Sequence, residues 1–181
     1  MDDLFINKKN HDVFKWENLG DVKEGRRSLG EEMPVVIYRL MQFTMRDVLV
    51  KDFGRERADQ YLRKAGYLAG TEFTKNELKT DLDFYDFMAA LQKKLQDLKV
   101  GILRVESVSD DGGEIILTVG EDLDCSGLPI TNETVCSYDE GFVAGILAVY
   151  TDKEYSVREV DCWAEGDRTC RFNCTVIDED L

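Results

Sequence analysis

The sequence predicts an α+β fold, and three observations carry that reading. Segments with helical apolar spacing occupy the chain from Pro34 to about residue 98. Alternating apolar and polar segments, divided by turn residues, take over from Val100. One further helical segment interrupts the strands, which is not the regular strand–helix alternation of a doubly wound sheet.

In chain order, the first thirty residues are polar and irregular, with a turn-like NLGD and a glycine at Gly30. They are expected to include an extension, residues 1–24, ahead of one domain over 25–178. Pro34 suits a helix start, and VVIYRLMQFTMRDVLVKDF follows until Gly54 stops it. RERADQYLRKAGYLAGTEF spaces Ala58, Tyr61, Leu62, Ala65 and Leu68 at helical intervals. Its Gly66 and Gly70 would let a neighbouring helix approach closely. DLDFYDFMAALQKKLQDL puts Phe84, Phe87, Met88, Leu91 and Leu95 on one face. GILRVESV and EIILTV, joined by SDDGG, read as a hairpin. A loop containing Cys125 and Pro129 leads to SYDEGFVAGILAVY, a helix expected to start with a capping box of Ser137 and Glu140. EYSVREVD and CRFNCTVI close the chain as two strands around the turn AEGD.

Composition narrows the function. A formal charge of −14 opposes nucleic-acid binding, and the basic stretches KEGRR and RERADQYLRK are short and mixed with acids. The start, MDDLFINKKN, lacks the basic-then-apolar pattern of a secretion signal, and no apolar run reaches membrane-spanning length. A cytoplasmic location is therefore expected, with no membrane span. An enzyme is not expected: there is no Gly-rich dinucleotide fingerprint and no histidine base, because the only histidine, His11, lies in the polar N-terminal segment.

The five cysteines are Cys125, Cys136, Cys162, Cys170 and Cys174. Cys136 precedes a helix, where the positive end of the dipole favours thiolate. Cys162 and Cys170 flank a glycine-containing turn, and Glu159 shares a strand face with Tyr155 and Val157. A lone glutamate on such a face needs a partner for its charge. Three thiolates and one carboxylate would complete a closed tetrahedral zinc shell. The same cysteines could instead be buried small hydrophobes, or a Cys162–Cys170 disulfide, which a reducing compartment disfavours. Cys174 alternates with Phe172 and Val176 and reads as core; Cys125 is either a spare ligand or a loop thiol.

CSGLPITNETVCSYDEGFVAGIL followed by YSVREVDCWAEGDRTCRFNCTV resembles the 4-vinyl-reductase domain family. The shared pattern is a cysteine before a Glu-Gly-x-x-x-Gly helix start, then Glu-x-x-Cys, Gly-Asp and Cys-x-Phe. With the less specific MPVVIYRLMQF and AGYLAGTEF, the similarity covers roughly residues 25 to 178. The resemblance implies zinc bound by Cys136, Glu159, Cys162 and Cys170. It also implies a fold like that of transport-particle (TRAPP) subunits, with N-terminal helices packed on an antiparallel sheet and a zinc-bound C-terminal hairpin. Family members commonly form homodimers through the helices and hold a small hydrophobic molecule between helices and sheet; the sensory ones respond to phenols or toluenes.

From this follow the functional expectations. The chain is expected to be a zinc-stabilised binding or sensing module for a small hydrophobic or aromatic ligand, acting through a separate effector protein. The alternatives are a non-enzymatic scaffold of transport-particle type, or a tetrapyrrole- or corrinoid-handling protein. The pocket is expected between Phe84, Phe87 and Met88 on one side and Ile115, Leu117, Tyr155 and Val157 on the other. The histidine and tryptophan with which the family's sensors grip a phenol hydroxyl are not matched here, since Trp16 is N-terminal and Trp163 belongs to the hairpin. An apolar or larger ligand is therefore expected. A homodimer is expected through a stripe of Val36, Leu40 and Phe43, with the small residues of RKAGYLAG.

Overall fold

The computed structural model describes residues 14–177 and divides into two compact units between Glu31 and Glu32. His11 lies outside the described residues. In the first unit, Trp16–Leu19 forms a 3-10 turn and Val22–Gly25 one helical turn, α1. The side chain of Asp21 caps α1 by accepting from the Glu24 amide at 2.8 Å.

The second unit opens with two long helices, α2 (Val35–Phe53) and α3 (Arg55–Glu77). Gly54, at φ +80, both ends the first and starts the second, in a conformation costly for a side chain. Arg46 of α2 is buried against Asp59 of α3 at 2.5 Å, which fixes how the pair folds back. Helix α4 (Phe84–Asp97) is capped by Asp83, which accepts from the Asp86 amide at 3.0 Å. Its buried stripe of Phe87, Met88, Leu91 and Leu95 packs on the first strand.

Four strands follow: β1 (Ile102–Val108), β2 (Glu114–Gly120), β3 (Tyr155–Asp161) and β4 (Cys170–Val176), with α5 (Ser137–Thr151) between β2 and β3. They form one antiparallel sheet in the order β1-β2-β4-β3. The expected α+β architecture is what the chain adopts. One sheet face supplies the core: Leu103, Ile115, Leu117, Val119, Tyr155, Val157, Phe172 and Cys174 are all buried. No helix among the described residues is long and apolar enough to cross a membrane.

Helix α5 touches α3 on one side and β3 on the other. The α3–α5 crossing is unusually close because glycines face backbone on both helices. A methyl group on Gly66 would stand 2.8 Å from the Phe142 nitrogen, and one on Gly141 2.7 Å from the Arg63 carbonyl carbon. Gly70 and Gly145 are similarly crowded. The close approach expected at Gly66 and Gly70 is thus real, and its other half is the Gly141–Gly145 pair.

The start of α5 corrects one expectation. Cys136, not Ser137, occupies the N-cap position, with no side-chain cap, and Ser137 is the first helical residue. Glu140 does not reach back to close a capping box. Its carboxylate is taken by Arg63 of α3 and by the amide of Glu159, at 2.9 Å for the latter.

Candidate metal centre and adjoining cavity

The four expected ligand residues converge, and Cys125 joins them. Donor atoms of Cys125, Cys136, Glu159, Cys162 and Cys170 all lie within 4.8 Å of one another, and all five residues are buried. The Cys136 and Cys170 sulfurs are 4.0 Å apart, close to the roughly 3.8 Å expected of two thiolates on one tetrahedral zinc with bonds of about 2.3 Å. All five cysteines are free thiols, so no disulfide forms. Cys174 is buried on the same strand face but stays outside the cluster.

Four separate segments deliver these donors. Cys136 arrives with the N-terminus of α5, Cys170 opens β4, and Cys162 follows β3. The register of β3 against β4 shifts between Glu159 and Asp161, leaving exposed Val160 as the extra residue of a bulge. The bulge explains the Glu-x-x-Cys spacing: regular alternation would send residues three apart to opposite faces, whereas here both point inward. Cys125 comes from the β2–α5 loop, whose Asp122 accepts the amides of Asp124 at 2.8 Å and Cys125 at 3.1 Å. Helix α2 pins this loop from outside: Arg39 donates to the carbonyls of Leu123 and Ser126, and Tyr38 to Asp124 at 2.8 Å.

The electrostatics suit a cation. Glu159 Oε2 accepts the Cys136 amide at 3.3 Å, but the buried Oε1 has no hydrogen-bond partner. Burial, and then the neighbouring Cys162, push the carboxyl up to about 8. The Cys136 thiol is pushed up, by Cys125, Cys162 and Cys170 before burial itself, against the lowering expected from the helix dipole. Cys162 moves the other way, because Cys125, Cys136 and Cys170 donate toward it. An orphaned carboxylate oxygen amid converging thiols is the donor set that zinc fits.

Beside the cluster lies an enclosed apolar cavity of about 30 Å³, bounded by α4, β1, β2 and α5. Leu91, Leu95, Leu103, Leu117, Phe142 and Phe172 contribute to its wall. Two carboxyls, Asp122 and Asp139, close one end, and Asp139 Oδ2 is buried without a hydrogen-bond partner. Burial pushes Asp122 up to about 7, helped by the charge of Asp124, and raises Asp139 well above the usual carboxylate range. Asp122 also borders an open groove of about 470 Å³ with Arg39, Lys99, Trp163 and Arg168, so a path from the surface to the cavity passes this carboxyl.

Of the seven expected pocket residues, Leu117 lines this cavity. Phe87 is fully buried and stacks on Tyr150 at 4.0 Å, and Val157 is buried as well. Phe84, Ile115 and Tyr155 border an open groove near the β1–β2 turn, and Met88 another against β1. The sequence reading missed Asp122 and Asp139. Asp139 looked like an ordinary acid in a first helical turn, and only tertiary packing reveals its burial. Trp163 belongs to the hairpin as expected, donating to the Leu128 carbonyl at 3.1 Å.

Comparison with known proteins converges on the same region. Residues 115–176 match the family model of the 4-vinyl-reductase domain. Two uncharacterized proteins of Methanocaldococcus jannaschii are similar along most of the chain. MJ1642 is 29% identical over 150 residues, covering 83% of this chain and 82% of that one. MJ0150 is 24% identical over 180 residues, covering 99% and 95%. Three solved structures share the fold. The phenol-responsive sensory domain of the transcription activator PoxR, solved with phenol, superposes with a TM-score of 0.62 at 15% identity, covering 81% of this chain and 76% of that one. A vinyl-4-reductase family protein from M. jannaschii gives 0.60 at 15%, covering 92% and 99%. Subunit 3 of a trafficking protein particle complex from Naegleria fowleri, covalently bound to palmitic acid, gives 0.62 at 17%, covering 80% and 95%. The segment that carries all five clustered donors is thus the one that matches the domain model, and these comparisons support the 4-vinyl-reductase family for the chain.

Proposed function

We propose that this chain is a zinc-stabilised regulatory module of the cytoplasm that binds a small hydrophobic ligand and signals through a separate effector protein. One observation carries the reading: the donor cluster and the apolar cavity meet at the start of α5, where Cys136 belongs to the cluster and Asp139 lines the cavity. Zinc held by Cys136, Glu159, Cys162 and Cys170 has no open position, so it braces the fold and does no chemistry. The phenol bound by the PoxR sensory domain supports a ligand between helices and sheet.

The unpartnered oxygen of Asp139 calls for a ligand with one hydrogen-bond donor on an otherwise apolar body. This reverses the expectation of a site without a polar grip. Benzene occupies a cavity of about 150 Å³ in a protein interior, so the 30 Å³ found here must widen to admit an aromatic ring.

That small volume also favours a second reading, a scaffold of transport-particle type with a filled core. The exposed apolar side of α2 agrees with either: Val36, Ile37, Leu40, Met41, Met45 and Val48 all face solvent, and we assign them to a homodimer interface. Native mass spectrometry before and after organic extraction decides between the two, with a thermal-shift panel of hydroxylated aromatics, their deoxy analogues, fatty acids and tetrapyrroles. A retained small molecule, or a shift specific to the hydroxylated members, supports the sensor. A retained tetrapyrrole replaces it with a pigment-handling role. No retained molecule and no shift anywhere leaves the scaffold.

A further inference from the structure

The cluster offers five donors where a tetrahedral ion takes four. We propose that Cys125 is a metal ligand that exchanges with Glu159 for the fourth coordination position, while Cys136, Cys162 and Cys170 stay bound. The inference rests on the zinc reading above and adds the residue that reading leaves unused.

Three features of the structure carry it. The Cys125 sulfur stands 3.0 Å from that of Cys170, nearer than Cys136 at 4.0 Å, and the residue is fully buried. Its backbone is held for the purpose: Asp122 takes its amide, and its own carbonyl accepts from Leu128 at 2.9 Å. Glu159, for its part, has an alternative use for its carboxylate, since Oε2 accepts the Cys136 amide. Zinc accepts either donor, and thiolate is the softer match. The exchange is balanced without any redox change: one zinc–oxygen bond breaks, one zinc–sulfur bond forms, and the proton of the incoming thiol passes to the released carboxylate.

The two exchanging donors sit on different elements. Glu159 belongs to β3, whereas Cys125 shares its loop with Asp122, which borders both the cavity and the outer groove. A molecule entering past Asp122 displaces the loop and so selects the carboxylate-bound form. Ligand occupancy is thereby written into the metal's coordination.

X-ray absorption at the zinc edge of the full-length, zinc-loaded protein tests this by counting sulfur neighbours at about 2.3 Å and oxygen at about 2.0–2.2 Å. Glu159→Gln should keep one zinc and show four sulfurs. Cys125→Ser should keep one zinc with three sulfurs and one oxygen. The double variant should bind zinc at least tenfold more weakly than either single one. Three sulfurs in Glu159→Gln, or a double variant no weaker than Glu159→Gln, overturns the exchange while leaving zinc in place. A wild-type protein without zinc overturns both readings. Should Glu159→Gln not fold, cadmium-113 resonances of wild type and Cys125→Ser decide: a resonance moved toward lower sulfur content on losing Cys125 supports the exchange, and an identical one overturns it.

Discussion

Replacing Gly141 by alanine adds one methyl group at the tightest part of the α3–α5 crossing. The new carbon would stand 2.7 Å from the Arg63 carbonyl carbon and 2.9 Å from its Cα, where ordinary contacts are 3.4–4 Å. The obstructing atoms are backbone, so no side-chain rotation relieves the clash and the helices must separate by roughly 1 Å. Such a separation stretches the Arg63–Glu140 ion pair and loosens Phe73 against Phe142, whose rings lie 5.3 Å apart. Overpacking of this kind costs about 1–3 kcal/mol, and a rigid neighbour puts it at or above the upper end. Against this, alanine gains about 1 kcal/mol over glycine in a helix. The net loss is about 2–3 kcal/mol, which for a chain of this length lowers Tm by about 5–10 °C. Differential scanning calorimetry measures it, with Gly120→Ala as the control, because nothing lies within 4 Å of a methyl there. An unchanged or raised Tm for Gly141→Ala would mean that helix propensity outweighs the crossing, and the close-packing account would be wrong.

Further outcomes concern the metal, a buried carboxyl and the apolar side of α2. Cys162→Ser should lose zinc and unfold at much lower temperature, since structural zinc contributes on the order of 10 kcal/mol in small zinc peptides and somewhat less where a core exists. Cys174→Ser should keep its zinc by elemental analysis. The raised carboxyl of Asp122 makes the folded state hold the extra proton between the ordinary value of 3.8 and about 7. Stability should therefore fall as pH rises through that window, by up to about 1.4 kcal/mol per pH unit for one proton. Asp122→Asn should flatten that slope in thermal melts, and an unchanged slope counts against the shift. Wild-type protein should be a dimer by light scattering at micromolar concentration, and Leu40→Glu, at a position 57% exposed, should yield folded monomer. A monomeric wild type removes the α2 interface.

The elements themselves were legible because their periodicities are strong and their ends are punctuated, as at Gly54 and Asp83. The inward set Tyr155, Val157 and Glu159 was legible too, because β3 alternates up to its bulge. Other features have no local signature. Nothing in the β2–α5 loop announces that Cys125 turns inward, because its direction is set by Asp122 and by Arg39 and Tyr38 of a helix some eighty residues earlier. Ser137 and Glu140 satisfy the spacing of a capping box, yet a tertiary ion pair outbids the local bond for Glu140. The enclosed cavity likewise depends on which part of the α4 stripe meets α5: Phe87 is occupied by Tyr150, and Leu91 and Leu95 form the wall.

Glu140 ties three elements at one point. It is buried, accepts the Glu159 amide, pairs with Arg63 and lies 3.5 Å from Arg158. With the glycine crossing, this makes α3, α5 and β3 a single stiff frame that spans the metal cluster. Helix α4 is attached to that frame more lightly, through the Phe87–Tyr150 stack, the Tyr150 hydroxyl on the Leu82 carbonyl at 3.1 Å and the Lys94–Glu77 pair at 2.5 Å. In mechanical terms the molecule is a chassis with one hinged panel. Any guest large enough to strain the cavity does its work on α4, and the panel's outward swing, presenting Tyr85 and its neighbours differently to solvent, is the displacement an effector protein could read.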